Sequence, residues 1–317
     1  MNRPKTSPAF VSDREFDQLF ACVSNWGRWG ADDERGTLNY LKPEQVRAAA
    51  SLVKSGRTVS LSLPINTVAG PDNPRPSVHY MVKTHDLRPA HGEPQFAGDY
   101  LASEVHGDSR THLDALCHVA YKGKLYNGRS PASVTSRGAT LMDITTYVHG
   151  IVGRGVLLDI PRFRGVKWLE PGEAVTSEEI EAVEKFEDAR LGEGDLFLFR
   201  TGHHRRRIEL GPWNTGPDGE GQAGLHVNAM PLLHQRRIAA FLPDGDGETV
   251  PSNVEGVTYP VHALQIASMG LACADNLQFE ELVRLCDEEN RWTFLVVAAP
   301  LRLPYGTGSP FNPIAVF

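Results

Sequence analysis

The chain is short of cysteine, of excess positive charge and of long apolar runs, and each shortage closes a class of function. Its four cysteines, Cys22, Cys117, Cys273 and Cys286, are spread over 317 residues with no C-x-x-C spacing. Neither a disulfide framework nor a zinc ribbon fits that pattern, so reduced thiols in a cytoplasmic protein are the expectation. Lysine and arginine number 32 against 39 acidic residues, a net charge of −7. Apart from Arg205, Arg206 and Arg207 the basic residues are scattered, so no face for nucleic acid or an anionic membrane is expected. No apolar run reaches the ~20 residues of a membrane-spanning helix. The opening M-N-R-P-K-T-S-P has no apolar core behind its charges and does not read as a signal peptide. G-x-G-x-x-G and Walker A sequences are both missing, and G-T-G-S-P at Gly306–Pro310 lacks the lysine and following helix of a phosphate loop, so it reads as a turn.

What is present suits an ordinary soluble core: 41% hydrophobic and 22% charged residues. Residues 1–38 are polar and rich in Gly and Trp without a clear period, which predicts an ordered arm rather than regular structure. Behind it, residues 39–317 read as a single domain without repeats or linkers. Pro43 and Gly56 bracket a helix, and Thr58–Leu63 alternates as a half-buried strand does. Ala69–Pro76 reads as a loop, and residues 77–100 are of mixed character, with His79, His85 and His91 dispersed as surface or pocket-edge residues. Lys122–Gly128 reads as a turn with Asn127-Gly128 at its tip. Buried strands are expected at Gly155–Ile160 and Asp195–Arg200, and further strands at Ile238–Leu242, Thr293–Ala298 and Pro313–Phe317. Helices are expected after a Thr176/Glu179 capping box and around Glu280–Glu288. Strands alternating with helices argue α/β, while the density of turns suggests a β-rich centre. Periodicity alone leaves a Rossmann-like sheet and a mixed β/β/α core both open.

The densest chemistry lies in H-G-D-S-R-T-H-L-D-A-L-C-H, His106–His118, with three imidazoles and two carboxylates in thirteen residues. His112 and Asp114 are two apart, so on an extended segment both leave the same face. His118, four residues beyond Asp114, reaches the same point if the chain turns. Neutral imidazoles and carboxylates together suit a borderline divalent ion such as zinc or manganese. Any one of these histidines alone would read as a polar loop residue; the cluster reads as a metal site. Cys117, beside His118, reads as core packing rather than a nucleophile.

The stretch resembles the signature H-x-G-T-H-x-D-x-x-x-H of the metal-dependent cyclase family, which includes kynurenine formamidases, isatin hydrolases and dienelactone hydrolases. Thr111, His112, Asp114 and His118 fall on its later positions, while Asp108 stands for the first histidine and Arg110 for the glycine. W-G-R-W-G-A-D-D-E-R-G-T-L-N, Trp26–Asn39, is similar to the N-terminal signature of longer members, and its tryptophans either line the substrate pocket or pack the arm on the body. The resemblance implies a swivelling β/β/α mixed sheet. It implies metal ligands at Asp108, His112 and Asp114, with His118 as the acid/base. Pro260–Leu282 is similar to the family's second metal element, with His262 on its histidine and Asp275 on its glutamate, as further ligands or outer support. Arg200–His204, R-T-G-H-H, follows a strand and precedes a loop, where at most one histidine enters the site. A homodimer or homotetramer is implied, with the arm as the embrace between protomers. The resulting expectation is a hydrolase of a small carbonyl substrate, a cyclic amide, lactone or N-acyl compound. The alternatives are a non-catalytic small-molecule binder with a decayed site, or a metal-dependent lyase or dehydratase.

Overall fold

A computed structural model describes residues 9–86 and 92–317. Its centre follows from composition: L-F-L-F-R at Leu196–Arg200 and A-F-L-P at Ala240–Pro243 are buried along their whole length. Unbroken apolar runs of this kind suit strands covered on both faces. They belong to a nine-stranded sheet. In chain order its strands are β1 (Thr58–Ser60), β2 (His112–Asp114), β3 (Ile151–Asp159), β4 (Leu196–Arg200), β5 (Ala240–Pro243), β6 (Ala272–Asp275), β7 (Thr293–Ala298), β8 (Gly308–Pro310) and β9 (Ile314–Val316). Across the sheet the order is β1-β9-β7-β3-β4-β5-β6-β2-β8. Strands β3 to β6 run parallel, and the flanking pairs are antiparallel. The mixed α/β sheet expected from the resemblance is the architecture found.

Parallel neighbours need crossovers, and helices supply them. Between β3 and β4 lies Ser177–Phe186, whose Thr176 cap accepts the Glu179 amide at 3.4 Å and whose Ile180 and Val183 face the core. Gly155 on β3 marks a close approach: a Cβ there would sit 2.6 Å from Val296 and 2.7 Å from Phe294. Between β5 and β6, Pro260–His262 opens one helical turn that widens into a π-helical segment, Ala263–Ser268, buried throughout. Wide turns of this type concentrate at functional sites.

Two expectations are corrected by the fold, and a region left open is filled. The arm is not irregular, since Asp13–Cys22 is a helix with a reciprocal Ser12–Glu15 capping box and Phe16 fully buried. The signal was a capping box masked by the polar composition around it. Residues 77–100 hold a hairpin, Val78–Lys83 against Gly98–Ala102, with Tyr80 stacked on Tyr100 at 4.9 Å. His79 lies exposed on it beside Asp99, and His91 falls outside the described residues. Finally, R-T-G-H-H leads into a helix, His203–Leu210, rather than a loop. Gly202 permits that entry with φ +80°.

The arm packs on its own chain. The Trp26 indole N–H donates to the Ala267 carbonyl at 2.8 Å, Trp29 lies edge-on to Tyr40, and Asn127 accepts from the Gly27 amide at 2.7 Å. Gly36 is pressed against Gly270, where a Cβ would meet a carbonyl oxygen at 1.9 Å. Among the described residues no helix is long and apolar enough to cross a membrane.

Candidate metal centre

Strand alternation builds the site. On β2, Leu113 enters the core, so His112 and Asp114 leave the opposite face. On β6, Cys273 and Asp275 are likewise two apart. The antiparallel register sets Asp275 opposite His112 and Cys273 opposite Asp114, so four polar side chains form a square across two strands. On the other side of β2, Gly308 stands opposite Asp114. Its missing side chain is the space for His106, whose ring carbon would lie 2.8 Å from a Cβ there.

Three imidazoles each have one nitrogen occupied and the other turned inward. His112 sets Nδ1 on the Arg110 carbonyl at 2.9 Å, leaving Nε2 at 3.6 Å from both Asp114 Oδ1 and Asp275 Oδ2. His106 Nε2 meets Thr307 Oγ1 at 3.0 Å, and its Nδ1 lies 2.8 Å from Asp114 Oδ1. His262 sets Nδ1 on Glu248 at 3.0 Å and Nε2 at 3.5 Å from Asp275. Glu248, fully buried, also accepts the amides of Val261 and His262 at 3.1 and 2.6 Å, which fixes the start of that helix. Partners of this kind fix the tautomer and aim of ligating imidazoles. His118 lies in the turn after β2, stacked on His106 at 3.6 Å and 4.0 Å from Asp114.

The electrostatics follow the packing. Burial disfavours ionised Asp114, but the charge of His118 and the closeness of His106 and His112 outweigh it and hold the carboxyl below the ordinary range. Burial also depresses the His262 imidazole, yet Asp275 and Glu248 reverse this and hold it well above its usual value. Desolvation lowers His118, against the pull of Asp114; its side chain is 31% exposed, so water moderates the effect. Burial pushes Asp246, near His262, up to about 8.

Donor atoms of His106, His112 and Asp114 lie within 4.8 Å of one another, as do those of Asp114, His262, Cys273 and Asp275. Asp114 Oδ1 and His106 Nδ1 are buried and make no hydrogen bond despite their closeness. Buried imidazole nitrogens and carboxylate oxygens converging this closely suit a bound cation. Of the residues expected from sequence, His112, Asp114, His262 and Asp275 come together, with His118 at the edge. Asp108 lies outside both donor groups. It occupies the second position of a turn closed by the Arg110 amide on the Gly107 carbonyl, and its carboxylate accepts from Thr215 at 2.5 Å. His106, two residues earlier, takes the inward place; counting along the motif could not foresee that turn. Cys273 and Glu248 were also missed, although A-C-A-D alternation placed Cys273 on the same face as Asp275. Cys117 is buried in the core, with burial pushing its thiol up to about 12.

The profile of the family described as putative cyclases matches residues 59–246. The chain belongs to the cyclase family. A crystal structure described as a novel cyclase is similar over 93% of this chain and 99% of its own, at 32% identity and TM-score 0.81. Isatin hydrolase A from Labrenzia aggregata, bound to benzyl benzoate, is 22% identical with TM-score 0.57, covering 86% of this chain and 97% of its own. Isatin hydrolase A from Ralstonia solanacearum is 20% identical with TM-score 0.60, covering 82% and 92%. The latter two show the shared cyclase fold. No curated protein sequence matches the chain.

Proposed function

We propose that this cyclase is a metal-dependent hydrolase that opens a cyclic amide or lactone, or cleaves an N-acyl bond of the formamide type, in a small carbonyl substrate. The observation that carries the reading is the convergence of His106, His112 and Asp114, with the His118 imidazole stacked on His106 at the partly exposed edge. The donor set fits zinc or manganese, held by these three residues with His262 and Asp275 adjoining. A divalent ion bound there supplies a Lewis acid that polarises a carbonyl and acidifies water. His118 is placed to take a proton from water and return it to the leaving nitrogen or oxygen, since it faces both the ligand cluster and solvent. Glu248 and the Arg110 carbonyl hold His262 and His112 in their working tautomers. The names of the isatin hydrolase neighbours favour hydrolysis over elimination.

The test pairs elemental analysis with a panel of N-formyl aromatics, lactones and cyclic imides. Hydrolysis of at least one, abolished by chelation and restored by zinc or manganese, is expected. Stoichiometric metal without hydrolysis of any member would turn the reading toward a binder or lyase. The family resemblance also supports a homodimer or homotetramer, and the dispersed cysteines a cytoplasmic protein; light scattering giving the mass of one chain would exclude the oligomer.

A further inference from the structure

We infer that Cys273 is itself a metal ligand, completing a sulfur-containing set with Asp114, His262 and Asp275. The inference rests on the metal-dependent reading above and extends it to the donor set and its metal preference. Cys273 is two residues from Asp275 on β6, so both side chains leave one face, and Asp114 stands directly opposite on β2. One donor atom from each of the four residues lies within 4.8 Å of every other, and all four are buried. Bonds of about 2.0–2.3 Å to a tetrahedral ion put donors roughly 3.3–3.8 Å apart, so small side-chain shifts close the set.

Burial, with Asp275 and Asp114 close by, holds the Cys273 thiol well above its ordinary range, so the sulfur keeps its proton until a cation displaces it. Gln265 Nε2 donates to Sγ at 3.0 Å, and the protonated thiol donates to Asp275 Oδ1 at 3.3 Å. Binding a divalent ion breaks the S–H bond, forms one S–metal bond and releases the proton to water. Asp114 stands opposite the sulfur across the strand pair, and Gln265 Oε1, on the amide that donates to the sulfur, is buried without a hydrogen-bond partner. A cation among them satisfies what the protein leaves unpaired. Thiolate with imidazole and carboxylate favours zinc over manganese, because sulfur is a soft donor. Cys117, also buried, lies outside both donor groups and serves as the internal control.

Cobalt(II) substitution tests the assignment without reference to turnover, because sulfur-to-cobalt charge transfer absorbs strongly in the near ultraviolet. The full-length protein loaded with cobalt should show that band, Cys273→Ser should lose it, and Cys117→Ser should keep it. Circular dichroism and melting check that Cys273→Ser is folded. Should it not fold, Cys22→Ser, Cys117→Ser and Cys286→Ser, made singly, must each retain the band, and its loss in any of them counts against Cys273. Cobalt bound without the band, or a band surviving in folded Cys273→Ser, overturns the ligand role of Cys273 while leaving the metal centre standing. Failure to bind cobalt at all overturns both.

Discussion

Two histidines of this molecule, His262 and His203, are buried to similar depth and behave in opposite ways. His262 sits between Asp275 and Glu248, and the two carboxylates hold its imidazole well above the usual range against the cost of burial. His203, at the start of the His203–Leu210 helix, lies against the Trp213 ring at 4.6 Å. Burial pushes its imidazole down to about 3, helped by His204, Arg206 and Arg207. The residue type is the same, and the neighbours decide its chemistry. Carboxylates facing imidazoles make a place for a cation; cations and an indole facing an imidazole make a neutral packing group.

The largest break in that contrast is removal of the carboxylate shared by both donor groups. Asp114→Ala should abolish metal content and activity together, read by elemental analysis and by hydrolysis of whichever panel substrate is accepted. Full metal content in this variant would remove Asp114 from the centre. Next comes His118→Ala, expected to keep its metal and lose about a hundred- to ten-thousand-fold in kcat/KM, the usual scale for a lost general acid–base. If metal leaves with the activity, His118 is a ligand instead.

Glu248→Gln is a subtler probe, because it removes the charge behind His262 while nearly preserving shape. Metal affinity should fall about 10–100-fold in a competition titration, as for other supporting partners of ligating imidazoles. Unchanged affinity would mean that backbone contacts alone orient His262.

The smallest effect belongs to the other histidine. His203→Leu should leave metal content unchanged and alter only the acid side of the stability curve. The His203 imidazole is depressed from 6.5 to about 3 on folding, so the unfolded chain takes up a proton that the folded one refuses. Its stability is therefore whole above pH 6.5 and declines as pH falls toward 3, by up to about 1.4 kcal/mol per pH unit for one proton. Urea unfolding at pH 7 and pH 5 should show a shallower decline in the variant; an equal decline would place the proton uptake elsewhere.

Much of the site was legible because alternation and motif spacing are local. His112, Asp114 and His118 announced themselves by spacing, and the strands at Leu196–Arg200 and Thr293–Ala298 by apolar runs. The reading of Asp108 as first ligand treated backbone spacing as uniform, whereas the Gly107–Arg110 turn brings His106 inward. The arm looked irregular because a ten-residue helix with one fully buried aromatic, Phe16, leaves a weak pattern. His203 and His204 looked extended because a left-handed glycine before them hid the helix start.

The sequence by itself determined that this chain has covered strands alternating with helices and an imidazole–carboxylate cluster, because both follow from residues within a few positions of one another. Only the tertiary structure decided which donors share a point. Asp275 meets His112, and Cys273 meets Asp114, through a strand register that joins residues about 160 positions apart. Gly308 opens the space for His106 from still further along the chain. Register is set by which faces are buried, and burial is a property of the whole fold.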